Sequence, residues 1–336
     1  MRILSLDGGG IRGIMPGQVL VALEEKLQKL SKNKDARIAD YFDLIAGTST
    51  GGILTCIYLC PSEEDATKAR YSAANAVDLY LENGDEIFDV TAWQKISSGA
   101  GVFDEKYSAK ELEESLNDYL GELKLSNLLK PCLVTSYDIR RRKAHFFKQH
   151  KAKTGDAFDF YVKDVARATS AAPTYFEAAK VKSMTSVPYP LVDGGVFANN
   201  PTLCAYAEAR NLPGAPKAKD MFILSLGTGS SIKPYYYKEA KDWGLAQWVK
   251  PIIDIMMSGV SETVDFQLKQ IFDAVGKPKQ YVRIEPELYN ASPEMDDASI
   301  KNLEALRIAG QKCADDNDQL LNDVAKKLIA MSPAQA

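Results

Sequence analysis

The chain has 336 residues, of which 46% are hydrophobic and 26% charged, so it is long enough to bury the core of one large α/β domain or two ordinary ones. Its 41 basic and 45 acidic residues leave a formal net charge of −4, which gives the whole molecule no attraction for a nucleic acid polymer. The five cysteines are odd in number and include no C-x-x-C pair, which argues against a disulfide framework and a zinc site.

The N-terminal segment predicts a strand, a glycine-rich turn and a helix. Arg2 to Leu6 is a short strand, DGGGIRG at 7–13 forms the turn, and apolar residues then recur at helical spacing from Ile14 to Leu30. No signal peptide precedes the strand, and no apolar run is long enough to span a membrane. We therefore expect a cytoplasmic protein that either is soluble or visits a surface, and the family resemblance described below makes that surface a membrane contacted transiently.

The stretch from Tyr41 to Leu59 predicts a second strand, a sharp turn and a buried helix. Gly47-Thr48-Ser49-Thr50-Gly51 at its centre fits the pattern G-x-S-x-G. In this context the pattern is typical of a nucleophile elbow, where small residues let strand and helix approach and a strained turn exposes the serine hydroxyl. Ser49 is the candidate nucleophile. The alternative is a turn that only caps the following helix.

The glycine-rich turn at 7–13 allows two functional interpretations. Gly8, Gly10 and Gly13 fit the dinucleotide-binding pattern G-x-G-x-x-G, which would indicate a dinucleotide-dependent oxidoreductase. That pattern requires an acid at the end of the second strand, but this strand runs into the serine turn instead. The other interpretation is an oxyanion hole formed by uncovered backbone N–H groups, with Arg12 adding positive charge. A tight turn without a ligand is a third alternative.

The rest of the chain adds strands and helices that complete an α/β fold. Further strands are predicted at 131–137, 178–182, 191–193, 221–226 and 281–284. Helices are predicted at 63–81, 108–120 with Ser108 as its cap, 162–171, 202–210, 243–272 and 299–328. We expect a single domain with a mostly parallel central sheet covered by helices. The apolar helix at 243–272 is expected in the core, with a lid or a membrane-facing surface as the alternative.

A basic stretch runs from Arg140 to Lys153. It contains seven lysines and arginines, no acid, and both histidines of the protein, His145 and His150. The favoured interpretation is a solvated β-hairpin with a basic tip. The alternative is a positive patch for a phosphate-bearing ligand or an anionic bilayer.

A serine hydroxyl needs a base to accept its proton, and the candidates are few. Neither His145 nor His150 lies on an obvious strand-end loop, which disfavours a Ser-His-Asp triad. Asp193 ends a short apolar strand and precedes two glycines, so we expect its carboxylate at the carboxyl edge of the sheet. Partial burial would raise its pKa toward values useful for a base. The sequence therefore favours a Ser49-Asp193 dyad.

Five segments in chain order resemble the motifs of one family. They are DGGGIRG at 7–13, GTSTG at 47–51, ATSAAPTYF at 168–176, DGG at 193–195 with NNP at 199–201, and LGTG at 226–229. On these motifs the chain resembles the patatin-like phospholipase family, in its compact bacterial type. The resemblance implies a mechanism without a metal or organic cofactor. It also implies a nucleophile at Ser49, a general base at Asp193, an oxyanion hole at Gly9, Gly10 and Arg12, and elbow glycines at Gly47 and Gly51.

The resemblance further implies hydrolysis of fatty acyl esters of membrane phospholipids through peripheral membrane contact. It divides the single domain, 1–336, into a catalytic core at about 1–230 and a C-terminal helical or cap extension at about 231–336. Some compact bacterial members are antiphage effectors activated by cyclic nucleotides, and we keep such an activator and an antiviral role as a hypothesis. Homo-oligomerisation is left open. The alternative function is a non-catalytic lipid- or nucleotide-binding module on a hydrolase fold.

Overall fold

The structure, a computed structural model, describes residues 1–87, 109–229 and 234–332. Its strands are β1 Arg2–Leu6, β2 Leu44–Gly47, β3 Cys132–Asp138, β4 Lys143–Phe147, β5 Ala179–Lys182, β6 Pro188–Asp193, β7 Phe222–Leu226 and β8 Tyr281–Ile284. They form one sheet in which hydrogen-bonded neighbours follow the path β5-β6-β3-β2-β1-β7-β8, and β4 also pairs with β3.

Helices cover this sheet and connect its strands. They are α1 Ile14–Ser31, α2 Ile38–Tyr41, α3 Thr50–Tyr58, α4 Ala73–Ile87, α5 Lys110–Leu120, α6 Gln149–Ala152, α7 Val162–Thr169, α8 Gly195–Ala198, α9 Thr202–Ala209, α10 Tyr237–Ala240, α11 Leu245–Ala274, α12 Ile300–Asp316 and α13 Asp318–Met331. A one-turn 3-10 helix, Gly10–Gly13, precedes α1.

The predicted α/β fold with a mostly parallel sheet is confirmed. Strands β3, β2, β1, β7 and β8 are parallel neighbours, while β4 and β6 run antiparallel to β3. Both faces of the sheet are buried, because alternate residues of β1 enter different hydrophobic clusters: Leu4 joins the cluster of α1 and Ile3 joins the cluster of α9 and α11.

One edge of β3 receives two strands that run toward each other. Strand β2 pairs with Cys132–Val134 and β6 pairs with Ser136–Asp138, while β4 pairs with Val134–Asp138. Because β4 shares paired residues with each of the others, β2 and β6 must lie on the opposite edge of β3. Their carboxyl ends therefore meet head to head, with Gly47 beside Val134 and Asp193 beside Ser136.

The direction of β6 differs from the direction that the predicted position of Asp193 implied. The sequence placed Asp193 at the carboxyl edge of the sheet as though its strand were one of the parallel set. Strand β6 is antiparallel to β3, and an antiparallel strand would normally end at the opposite edge. Asp193 comes close to the end of β2 because the two strands are collinear along β3.

Two predicted helices are wrong in extent. The helix predicted at 63–81 begins only at Ala73, because the preceding residues form turns in which Asp65 accepts the Thr67 amide and Pro61 bridges to Ala69. The helix predicted at 299–328 is interrupted at Asn317, whose side chain bonds back to the carbonyl of Cys313. Ser108, the predicted cap, lies outside the described residues.

The first part of the basic stretch forms the expected hairpin, whereas Gln149–Ala152 after it forms the short helix α6. Strands β3 and β4 pair antiparallel, and the connecting turn carries the exposed side chains of Arg140 and Arg142. The hairpin with a basic tip is confirmed, and ligand binding by its basic side chains stays a separate prediction.

Residues beyond 230 share the core with those before it. Strand β8 extends the sheet beside β7, and α12 and α13 pack against α1. Leu306 and Leu321 lie in the same buried cluster as Leu4 and Leu20. The division into a catalytic core and an extension stays a prediction. None of the helices in the described part of the chain combines the length and apolarity needed to cross a membrane.

A buried carboxylate joins α1 to two neighbouring helices. Glu24 is 4% exposed and accepts the amides of Ile38, at the start of α2, and Ala73, at the start of α4, each at 3.0 Å. A carboxylate suits this position because helix N-termini have unpaired N–H groups and a positive dipole end. One side chain thus fixes three helices.

We expect Glu24→Ala to lower the free energy of unfolding by about 3 kcal/mol, because it leaves two buried amides without an acceptor. Urea denaturation followed by circular dichroism measures this. The control is Glu25→Ala, an exposed neighbour on the same helix, which should change stability by less than about 0.5 kcal/mol. Equal effects of the two substitutions would show that Glu24 does not fix the helices.

Candidate active site

Ser49 lies on a strained turn between β2 and α3. Its backbone has φ 53° and ψ −123°, a region that residues with a side chain seldom adopt. Glycine is required on either side, because a Cβ at Gly47 would lie 2.1 Å from the carbonyl oxygen of Gly51 and a Cβ at Gly51 would lie 2.2 Å from that of Leu6. The strand, turn and helix thus have the geometry of a nucleophile elbow.

The ends of β2 and β6 bring Ser49 and Asp193 to the same cavity. They are 8% and 4% exposed. Burial raises the pKa of Asp193 from 3.8 to about 6, although the Ser49 side chain and the Gly195 amide, which donates to Oδ1 at 2.7 Å, both lower it. The Ser49 amide donates to Thr169 Oγ1 at 2.9 Å, which fixes the backbone of the turn.

The glycine loop lies beside Ser49, because a Cβ at Gly8 would lie 3.2 Å from Ser49 Cβ. The Gly8 amide donates to the Asn199 carbonyl at 3.1 Å, and the Ile11 amide donates to the Met295 carbonyl at 2.8 Å. Between them, Gly9 and Gly10 line the cavity, and within the described ranges no protein acceptor takes a hydrogen bond from either amide. Gly10 has φ 59°, and a Cβ there would lie 2.1 Å from the Met295 carbonyl oxygen, so the loop requires glycine at this position.

Arg12 occupies a different place from Gly9 and Gly10. Its Nε donates to the Gly9 carbonyl at 3.4 Å, and it is not among the residues that line the cavity. Two of the three predicted oxyanion residues therefore face the cavity, and the third contacts the back of the loop. The catalytic roles of all three stay predictions.

A buried ion-pair network supports the loop from β8. Arg283 Nη1 and Nη2 donate to the two oxygens of Asp7 at 3.0 and 2.6 Å, and Nη2 also pairs with Glu285. Glu285 in turn accepts the Gly229 amide at 2.8 Å. Asp7 directly precedes Gly8, so the bidentate pair fixes the chain where the glycine loop begins.

Sequence reasoning did not identify Arg283 and Glu285, although it recognised the strand that holds Arg283. The available signal was a charged residue inside a short strand expected to be buried, because such a residue needs a partner. A second support comes from the LGTG turn, where Thr228 Oγ1 donates to the Gly8 carbonyl at 2.7 Å.

The cavity has about 160 Å³ of internal space and mostly apolar walls. Apolar residues of α3, α4 and α5 form one side, and Ile253 and Met257 of α11 form part of the other. Helix α11 buries Leu268 and Phe272 in the core while Ile252 and Ile255 are about half exposed. The prediction of a core helix is therefore right for one face of α11, and its N-terminal half borders the cavity.

Neither histidine lines this cavity. His145 packs edge-to-face on Phe147, with ring centroids 4.5 Å apart, and His150 Nε2 lies 2.8 Å from a Glu208 oxygen. The geometry therefore offers Asp193, and no imidazole, as the base nearest to Ser49. In the described part of the chain, no three His, Cys, Asp or Glu side chains cluster closely enough to hold a metal ion.

Comparisons with known proteins identify relatives of this chain. The sequence model described as "Patatin-like phospholipase" matches residues 4–206. The chain is 34% identical to patatin-like protein 4 of Arabidopsis thaliana over 95% of its own length and 84% of the relative's. It is 36% identical to patatin-like protein 2 of the same plant, over 92% and 82%.

A third relative is described as "probable inactive patatin-3-Kuras 1" of Solanum tuberosum, with 34% identity over 98% of this chain and 91% of that protein. These relatives are plant proteins, so the likeness to compact bacterial members stays a prediction. The matches to the first two relatives cover most of both chains. The chain belongs to the patatin-like phospholipase family, which supports lipid acyl hydrolase activity.

Proposed function

We propose that the chain hydrolyses fatty acyl esters of membrane phospholipids with Ser49 as nucleophile and Asp193 as general base. The observation that carries the proposal is the pairing of a strained, cavity-facing serine with a buried aspartate whose pKa is raised to about 6. An aspartate with that pKa is a stronger base than one in water and is still mostly ionised at neutral pH. The apolar walls suit an acyl chain.

The proposed reaction has two acyl-transfer steps. Ser49 Oγ attacks the ester carbonyl carbon while its proton moves to the Asp193 carboxylate, and the Gly9 and Gly10 amides donate to the oxyanion. Collapse of the tetrahedral intermediate breaks the ester C–O bond, and the proton returns from Asp193 to the departing lysophospholipid alkoxide. A water molecule, deprotonated by Asp193, then attacks the acyl-serine and releases the fatty acid and Ser49.

The oxyanion role is supported by Gly9 and Gly10 lining the same cavity as Ser49, with amides that make no hydrogen bond to the described residues. Arg12 contributes by holding the Gly9 carbonyl, so we assign it a positioning role. The proposed reaction uses no metal and no organic cofactor. The oxidoreductase alternative loses its main support, because the turn that suggested it belongs to a matched phospholipase family.

A non-catalytic lipid-binding module is the remaining alternative, and one relative carries the description "probable inactive". Retention of both Ser49 and Asp193 in one cavity favours catalysis. Covalent labelling by a serine-reactive fluorophosphonate separates the two, because a binding module without an activated serine would not be labelled.

Activation by a cyclic nucleotide, antiviral defence, a cytoplasmic location and transient membrane contact are proposals that rest on the sequence. Adding a panel of cyclic dinucleotides to the hydrolysis assay tests the first of them. An unchanged rate with every compound would remove the effector hypothesis and leave the hydrolase intact.

We expect Ser49→Ala and Asp193→Asn each to lower kcat by a factor on the order of a thousand or more, because each removes a participant in the acyl transfer. Release of free fatty acid from phosphatidylcholine vesicles measures this. Ser170→Ala is the matched control: Ser170 lines the same cavity, but its hydroxyl donates to the Ala166 carbonyl. Full activity in either dyad variant would exclude the dyad.

The pH dependence should report the raised pKa of Asp193. The carboxylate must be ionised to accept the Ser49 proton, so kcat/KM should decrease as pH falls through about 6, the pKa to which burial raises Asp193. A soluble short-chain ester as substrate avoids pH effects on vesicles, and circular dichroism at pH 5 checks that the protein stays folded. An acidic limb near pH 4 would mean that the base is an ordinary solvated carboxyl.

Arg283 should affect the reaction through the glycine loop. We expect Arg283→Lys, which keeps the charge but loses the bidentate contact with Asp7, to lower kcat about tenfold with little change in KM, since oxyanion donors act in the transition state. Arg307→Lys is the control, because Arg307 makes a bidentate pair with Glu304 on the exposed face of α12. A change in KM alone would contradict this role.

A further inference from the structure

A second cavity lies beside the basic hairpin, apart from Ser49. It has about 250 Å³ of internal space, and four cations line it: Arg141, Lys143, Lys148 and Lys151. The acidic residue in its wall is Asp138. The cavity therefore concentrates positive charge in a protein whose net charge is −4, and concave positive sites of this kind attract anions.

Two of these cations are already neutralised and two are not. Arg141 pairs with Asp138 at 2.6 Å, and Lys148 pairs with Glu208 at 2.5 Å. Within 1–87, 109–229 and 234–332, Lys143 and Lys151 have no carboxylate at salt-bridge distance. The positive charge of these two ammonium groups thus remains available to a ligand.

His145 gives the cavity a buried polar atom without a partner. Its Nε2 is buried and makes no hydrogen bond within the described part of the chain. Burial lowers the pKa of His145 to about 4, and the nearby Arg141 and Lys143 lower it as well, against the opposing charge of Asp138. The ring is therefore neutral at pH 7, and a buried nitrogen without a hydrogen-bond partner costs free energy.

Aromatic rings form the remaining walls. The Arg141 guanidinium lies 4.5 Å from the ring centroid of Tyr189, and Lys151 Nζ lies 4.4 Å from that of Phe158. Phe158 is 47% exposed, so the cavity has an accessible apolar rim beside its cations. These cation–π contacts help to fix Arg141 and Lys151 in the cavity wall.

We propose that this second cavity binds a phosphate group, with Lys143 and Lys151 as its main charge partners and His145 Nε2 as a hydrogen-bond partner. A phosphate monoester brings close to two negative charges and several acceptor oxygens, which matches two unneutralised ammonium groups better than a single carboxylate does. The group can belong to a soluble phosphate ester or to the headgroup of a phosphatidate. The site is separate from the proposed hydrolase site and does not depend on it.

The experiment measures binding to the full chain at about physiological salt, where weak surface attraction is screened. Inorganic phosphate and adenosine monophosphate, titrated by calorimetry, represent the soluble source. Phosphatidylcholine vesicles with and without phosphatidate represent the lipid source, and the Ser49→Ala protein is used with them so that they are not hydrolysed.

The variants separate the cavity from the general charge of the hairpin. The test variant is Lys143→Gln with Lys151→Gln, and the control is Arg140→Gln with Lys153→Gln, two exposed cations of the same stretch that lie outside the cavity. Both double variants lose two positive charges. We expect the test variant to weaken binding about tenfold or more and the control by less than about threefold, since only the former loses direct contacts.

A second measurement locates the ligand. The chain has two histidines, so the imidazole resonance of His145 can be followed by NMR, and we expect a phosphate probe in the cavity to shift it. Equal losses in the two double variants, an unperturbed His145 resonance, or no binding of any probe would each overturn the proposal. Binding of the soluble probes alone, or of phosphatidate vesicles alone, with the variant pattern above, would support it and identify the source.

Discussion

The site depends on the pairing of one strand, β3, with two strands that meet on its edge. Strand β2 ends at Gly47 beside Val134, and β6 ends at Asp193 beside Ser136. Both strands pair with β3, and their ends bring Ser49 and Asp193 to one cavity. A one-residue change of register in either strand would turn its side chains to the other face of the sheet, so the register of β3 determines whether the two side chains can meet.

The glycine loop of the site depends on a buried ion pair between residues that are distant in the sequence. Asp7 follows β1 and Arg283 lies in β8, on strands separated in the sheet by β7. The pair is nearly inaccessible to solvent, so its bidentate geometry is needed to offset the loss of hydration of two charges. It holds the start of the glycine loop, while Thr228 and Met295 hold the carbonyl of Gly8 and the amide of Ile11. The residues on either side of Gly9 and Gly10 are therefore held by hydrogen bonds, while the amides of Gly9 and Gly10 make none to the described residues.

Much of this could be predicted from the sequence, because it depends on local patterns. The strand at Arg2–Leu6, the elbow at Ser49 and the final strand at Tyr281–Ile284 follow from short apolar runs next to glycine or proline, and the structure has them at those positions. The direction of β6 could not be predicted, since strand polarity depends on pairing with distant residues. The partners of Arg283 could not be predicted for the same reason. The second cavity could not be predicted either, because it requires the hairpin to pack near Phe158 and Tyr189. The sequence showed the basic residues at 140–153, but it could not show that some of them line a cavity.

The head-to-head junction of β2 and β6 also bears on when the protein can act during its own synthesis. Ser49 leaves the ribosome long before Asp193, and neither can reach the other until β3, which lies between them in the chain, has paired with both strands. A nascent or truncated chain that lacks β6 carries the proposed nucleophile without its proposed base. For an enzyme whose proposed substrate is the lipid of membranes, this order of assembly delays hydrolysis until β2 and β6 have both paired with β3.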